Sequence, residues 1–182
     1  MVFTTDHGEF QGDHGFLFKG PFHVDSLMRL PLVWRPAPSR AVQPSVVSEP
    51  VGLLDLAPTF CRIAGLPVPE WMDGEPLPMS PADAGAQGRQ RVLTEWDSVH
   101  PGGAEVHLQT ITRHALVCTR YEPGTCHDGT EGELWDLDED PLQLVNLWDD
   151  PTRRSLRDDL VGDLVDALPE RPRTPLGLEA PV

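Results

Sequence analysis

The chain has 182 residues, 29 of them Asp or Glu and only 14 Lys or Arg, for a formal net charge of −15. That excess of carboxylates excludes a nucleic-acid-binding face and an anionic-membrane surface, since both need clustered cations. With 39% hydrophobic residues beside 16 glycines and 20 prolines, the composition is that of a folded, loop-rich chain and not of a low-complexity polymer.

No apolar run reaches the roughly 18 residues needed to span a bilayer. The opening Met1-Val2-Phe3-Thr4-Thr5-Asp6-His7 has neither the basic start nor the apolar stretch of a secretion signal. It assigns no compartment, and a cytoplasmic location is the default. The three cysteines, Cys61, Cys118 and Cys126, are odd in number and unrelated in spacing. They predict mostly buried thiols and no disulfide framework.

Met1 to Thr5 predicts a short strand, followed by a Gly-, Asp- and His-rich loop from Asp6 to about Pro21. A second strand is expected over Leu30–Trp34, with Pro31 at its first residues, and an extended connection runs from Arg35 to Pro50. Leu53, Leu54, Leu56, Ala57, Phe60, Ile63 and Ala64 recur at helical spacing, so Val51–Ala64 predicts an amphipathic helix closed by Gly65. Pro58 inside that span predicts a kink or a start near Ala57. Leu66 to Gln90 reads as loop. Strands are expected over Arg91–Trp96, His107–Arg113, Ala115–Thr119 and Glu133–Leu137, the middle two joined as a hairpin at Arg113-His114. A final amphipathic helix spans Thr152–Leu168, with Thr152 as N-cap, Pro169 as stop and Leu156, Leu160, Val161, Leu164, Val165 and Leu168 on one face.

Chemistry concentrates in Phe3-Thr4-Thr5-Asp6-His7-Gly8-Glu9-Phe10-Gln11-Gly12-Asp13-His14-Gly15. An Asp and a His where a strand ends can offer a cation one hard carboxylate and one imidazole nitrogen. In open α/β sheets the crevice beyond the strand ends is where ligands sit. The glycines let the loop approach closely, and Lys19 supplies a mobile cation for a bound anion. Two weaker patterns point to ordinary structure. Asp136-Leu137-Asp138-Glu139-Asp140 has Pro141 and Leu147 where a calcium loop needs Gly and Glu, and His114, Cys118, Cys126 and His127 match no zinc spacing. The scattered tryptophans read as packing residues, and Asp149, Asp150, Asp158, Asp159 and Asp163 as helix-start charge and a solvated face.

Taken together, the strand followed by Thr-Thr-Asp-His-Gly-Glu, then Gly12-Asp13-His14-Gly15, Lys19 and Asp25–Val33, resembles the C-terminal half of a sulfatase of the alkaline phosphatase superfamily. The likeness continues through Gly52–Phe60, Ala64–Pro67, Asp73-Gly74 and Leu77-Pro78. It extends into Glu133-Leu134-Trp135-Asp136-Leu137, Asp140-Pro141 and Asn146-Leu147, where Trp135 stands for the usual Tyr.

The resemblance implies an α/β fold: part of an alkaline-phosphatase-like mixed sheet plus a small C-terminal α+β subdomain. The expected division is 1–90 for the catalytic-domain part, 91–168 for the antiparallel-sheet-and-helix subdomain and 169–182 for a flexible tail. It also implies that Asp6 and His7 ligate a divalent metal, calcium first, with manganese and related ions open because imidazole is an unusual calcium ligand. Lys19 would contact the sulfate or phosphate oxygens as a catalytic and substrate-binding residue, with His14 at the turn beside it. The family's nucleophile, a formylglycine matured from Cys-x-Pro/Ser-x-Arg, matches none of the three cysteines, and its paired aspartates also belong to a more N-terminal segment.

The expectation is therefore a C-terminal sulfatase portion, inactive alone, acting on small-molecule sulfate esters in the complete protein, with a separate N-terminal sulfatase half as a candidate partner. The alternatives are a phosphonate or phosphate ester hydrolase of the same superfamily, for which His7 speaks, and a non-catalytic remnant acting as a binding protein.

Overall fold

A computed structural model describes residues 1–37, 42–100 and 102–168. The expected C-terminal tail, 169–182, lies outside the described residues. The chain divides into two compact units, Met1–Asp6 with Leu30–Val92, and His7–Arg29 with Leu93–Val182.

In the first unit, β1 (Val2–Phe3) pairs antiparallel with β2 (Val33–Trp34), Val2 opposite Trp34 and Phe3 opposite Val33. Reciprocal bonds between Met1 and Arg35, each 2.8 Å, extend the ladder by one step. The predicted first helix starts late. A 3₁₀ turn at Leu53–Asp55 leads into α2 (Leu56–Ala64), and Pro58 falls in the first turn, where its missing N–H costs nothing. Gly65 ends it in the left-handed region at φ 70°.

Asp55 organises this unit. Its carboxylate accepts from the Gly52 and Glu75 amides at 2.8 and 2.9 Å and from Arg89 Nη1 at 2.5 Å. Arg89 also donates to the Glu75 carbonyl at 3.0 Å, so one buried ion pair ties together segments more than thirty residues apart. The reading of Leu66–Gln90 as loop is corrected by α3 (Pro81–Gln87). Its signals were local: Ser80 caps the Asp83 amide at 3.1 Å, Pro81 opens the helix, and Asp83 returns a bond to the Met79 amide.

The second unit carries α1 (Asp25–Met28) and a four-stranded sheet in the order β3 (Arg91–Val99), β4 (Glu105–Arg113), β5 (Leu116–Tyr121), β6 (Gly132–Asp136). Both β4–β5 and β5–β6 are antiparallel. The hairpin falls where expected: Arg113 pairs with Leu116, and His114 takes φ 56° in the turn. Helix α4 (Arg154–Ala167) packs on β4 and β5, where Leu160 and Leu164 join Ile111, Cys118 and Leu134 in a fully buried core. Asn146 stitches the following loop to β6, accepting from the Leu134 amide and donating to the Gly132 carbonyl, both at 3.0 Å.

Several expectations need correcting here. Thr152 does not cap α4; its amide and hydroxyl both bond the Asp150 carboxylate, a local turn that competes with the cap, and Arg153 holds the cap position without a side-chain capping bond. Val165, placed on the apolar face, is exposed. Asp159 and Asp163 are not merely solvated, since both pair with Arg113. Of the cysteines, which are all free, only Cys118 is buried; Cys61 is half-buried and Cys126 exposed. Trp71 is likewise exposed and packs in no core, whereas Trp135 is buried.

Candidate functional site

The glycine-rich loop that follows β1 closes on itself around an aromatic cluster. Phe10 is buried with Val24 and Leu27, and its ring lies 5.6 Å from Phe22 and 5.3 Å from Phe16. Between these anchors the backbone reverses through residues in the left-handed region, Gln11 at φ 48°, Gly12 at 114° and His14 at 51°. Gly8 is required by proximity: a Cβ there would lie 1.9 Å from the Ser26 carbonyl oxygen, and the Gly8 amide bonds Leu27 O at 2.9 Å.

This closure brings Lys19 back to His7. Lys19 Nζ lies 2.8 Å from His7 Nε2, while His7 Nδ1 lies 2.8 Å from the Gly8 carbonyl. A carbonyl oxygen can only accept, so the proton sits on Nδ1. Nε2 therefore carries the lone pair, here received by the ammonium. Such an orienting bond on one nitrogen is what prepares the other for coordination. Glu9 completes the turn by accepting from the Lys19 amide at 2.7 Å.

Asp6 is exposed at the end of the β1 segment, with Thr5 Oγ1 3.3 Å from its Oδ1. His14 is exposed too and sits edge-on to Phe10 at 5.9 Å, on the tip of the reversal. Of the predicted residues, then, the fold joins His7 to Lys19 and places His14 against the aromatic cluster. Among the described residues no group of three or more His, Cys, Asp or Glu side chains is disposed to hold a metal ion. His114, Cys118, Cys126 and His127 form no such group, and burial pushes the Cys118 thiol up to about 12.

Sequence reasoning passed over Glu9 and His23. His23 is buried, with Nδ1 2.7 Å from Thr110 Oγ1, which is itself 2.7 Å from Thr119 Oγ1. Burial lowers its pKa from 6.5 to about 4, so the imidazole is neutral. Gln143 Oε1 accepts from the Asp25 amide at 2.6 Å. These two bonds moor the loop to the β4–β5 sheet and to the segment after β6. Their partners lie 87 and 118 residues away along the chain, which no local pattern announces.

The architecture is shared with known sulfatases and their relatives. The phosphonate monoester hydrolase of Agrobacterium radiobacter superposes with a TM-score of 0.75 at 25% identity, over 91% of this chain and 34% of that one. In sequence, the uncharacterized sulfatase YidJ of Escherichia coli is 29% identical over 91% of this chain and 31% of its own length. The choline-sulfatase of Rhizobium meliloti is 29% identical over 83% of the chain and 27% of its own length. Residues 12–169 match the family described as N-sulphoglucosamine sulphohydrolase, C-terminal, and the chain belongs to that family. It spans about a third of the length of the relatives it matches.

Proposed function

We propose that this chain is the anion- and metal-contacting C-terminal portion of a sulfate ester hydrolase, in which Asp6 and His7 ligate a divalent cation and Lys19 meets the sulfate oxygens. The observation that carries the reading is the His7–Lys19 contact at 2.8 Å, in which the imidazole Nε2 lone pair accepts from the ammonium. The donor chemistry fits a divalent ion: one carboxylate and one imidazole whose tautomer is held by the Gly8 carbonyl. When bound, such an ion polarises the ester oxygens as a Lewis acid.

The remaining chemistry belongs to the chain's own side chains. Lys19 offers three donors on a flexible stem, suited to the charge that builds on transferring oxyanion oxygens. Glu9 fixes the Lys19 backbone, so the ammonium is delivered by a held loop. His14, on the loop tip, is the second residue offered to substrate. Two donors fall short of the roughly six that a hard cation takes, and none of Cys61, Cys118 or Cys126 lies in the formylglycine pattern. The chain alone is therefore inactive and binds divalent ions weakly, and it is completed by an N-terminal sulfatase part. Calcium is the first candidate ion and manganese the second.

A second reading, hydrolysis of phosphonate or phosphate esters, is favoured by the likeness to the Agrobacterium enzyme and by His7 at the second ligand position. Titrating paramagnetic Mn²⁺ into the chain tests the metal assignment. Resonances of residues 6–8 and 19 should broaden first, and Asp6→Ala should abolish that selectivity. Broadening centred elsewhere removes the pair from the metal shell. Turnover of 4-nitrophenyl sulfate by the chain alone would overturn its incompleteness; a binding protein without catalysis would show neither turnover nor selective broadening.

A further inference from the structure

The neutral imidazole of His7 has a single nitrogen lone pair to offer, and the fold already engages it. Nδ1 lies 2.8 Å from the Gly8 carbonyl oxygen, which can only accept, so this nitrogen carries the hydrogen and cannot ligate while that bond stands. Nε2 lies 2.8 Å from Lys19 Nζ, an ammonium that only donates. Ligation of a divalent ion by His7 and acceptance of the Lys19 hydrogen bond therefore draw on the same electron pair. One excludes the other, and the positive charge on both contenders sharpens the exclusion.

The backbone of Lys19 is held, but its stem is not. Glu9 accepts from the Lys19 amide at 2.7 Å, and the Gln11 and Gly12 amides bond Leu17 O and Phe16 O at 3.2 and 2.8 Å, pinning the stretch just before it. The Phe16 ring, 5.3 Å from Phe10 and 5.2 Å from Phe22, ties that stretch to the buried aromatic cluster. Lys19 itself is exposed, and its flexible four-carbon stem can swing the ammonium while the loop stays in place. His7 is half-buried and is kept in register by the Gly8 bond, so of the two partners Lys19 is the one that yields.

We infer that Lys19 guards the His7 lone pair, that its ammonium is displaced when a divalent ion takes that lone pair, and that only then does it swing to a bound oxyanion. The site loads in order, cation before sulfate ester. No proton changes hands: the ammonium keeps its hydrogens and the imidazole keeps the one on Nδ1. The inference rests on the reading of His7 as a metal ligand and adds to it a competition between two of the chain's own groups. Binding free energies are reciprocal, so a cation that releases the ammonium raises the affinity for sulfate, and sulfate raises that for the cation by the same factor.

Nuclear magnetic resonance on the whole chain tests this, with diamagnetic Zn²⁺ as the probe cation and inorganic sulfate as the probe anion. Before addition, the Lys19 Hε protons should show nuclear Overhauser contacts to the His7 ring. Zn²⁺ should move the His7 Nε2 resonance, and those contacts should vanish along the same binding curve while the Lys19 amide, held by Glu9, keeps its position. In Lys19→Met the His7 response should reach half-saturation at a Zn²⁺ concentration about tenfold or more lower, because the competing charged hydrogen bond is gone; unchanged amide resonances in β4–β6 show that the variant is folded. Sulfate should shift the native Lys19 resonances at a concentration about tenfold lower with Zn²⁺ than without. Contacts that persist while His7 Nε2 carries the ion, equal Zn²⁺ affinity in Lys19→Met, ligation through Nδ1, or sulfate binding indifferent to Zn²⁺ overturns the proposal and leaves His7 a metal ligand. A His7 ring that ignores Zn²⁺ in both proteins overturns the metal assignment itself, and this proposal with it.

Discussion

Acidification should loosen the His7–Lys19 loop through a residue outside it. His23 is buried, neutral and bonded to Thr110, and it titrates at about 4 instead of 6.5. In the unfolded chain it takes up a proton as pH falls through 6.5; in the folded chain it does so only near 4. The unfolded state binds more protons throughout that window, so stability is complete above 6.5, declines below it and has lost the whole contribution near 4. At ~1.36 kcal/mol per pH unit the gap corresponds to about 3 kcal/mol, a large part of a domain's stability.

Other groups act mainly outside the window. Asp128 and Asp150, held low by bonds from Thr130 and Thr152, lose their contribution only below the ordinary carboxylate range. Asp25, raised by burial, takes up its proton earlier when folded and works in the opposite sense at the acid end. Urea unfolding followed by tryptophan fluorescence between pH 7.5 and 4 measures the slope. The native chain should lose about 3 kcal/mol over the window, and His23→Gln should lose correspondingly less. Parallel pH profiles for the two proteins would refute the assignment of the loss to His23.

Two further substitutions test the packing arguments. Gly8→Ala forces a Cβ to within 1.9 Å of the Ser26 carbonyl, so the loop must shift. Roughly 1–3 kcal/mol should be lost, with faster exchange of the residue-8 amide and a weakened His7–Lys19 contact by NMR; unchanged exchange would show that the approach is not tight. Arg89→Ala leaves Asp55, with only 8% of its side chain exposed, without its cation. The first unit should lose about 3 kcal/mol or more, seen as faster exchange in α2 than the native chain shows with β4–β6 unchanged, and α2 exchange equal to the native chain's would make the pair a bystander.

The elements legible in the sequence were those whose signals are local. Alternation located the sheet strands, a two-residue turn located the hairpin, and Leu160 and Leu164 repeat at helical spacing on α4. Helix α3 was equally local in its Ser-Pro-x-Asp start, yet a proline-rich stretch masked it. Periodicity also named the apolar stripe of α2 but said nothing of which way it faces. That depends on what packs against the helix, and in this chain the inner side is taken by hydrogen bonds from Thr59.

For the site, the ordered string of residues from Phe3 to Lys19 already carried the resemblance to the family, because chemistry is written in residue type and spacing. It could not show that Glu9 would hold the Lys19 amide, that the Gly8 carbonyl would choose the His7 tautomer, or that His23 and Gln143 would moor the loop. Those facts arise from groups brought together by chain reversals and by partners as many as 118 residues apart. Hydrogen bonds act over about 3 Å of space whatever the separation along the chain, so only the folded molecule decides them.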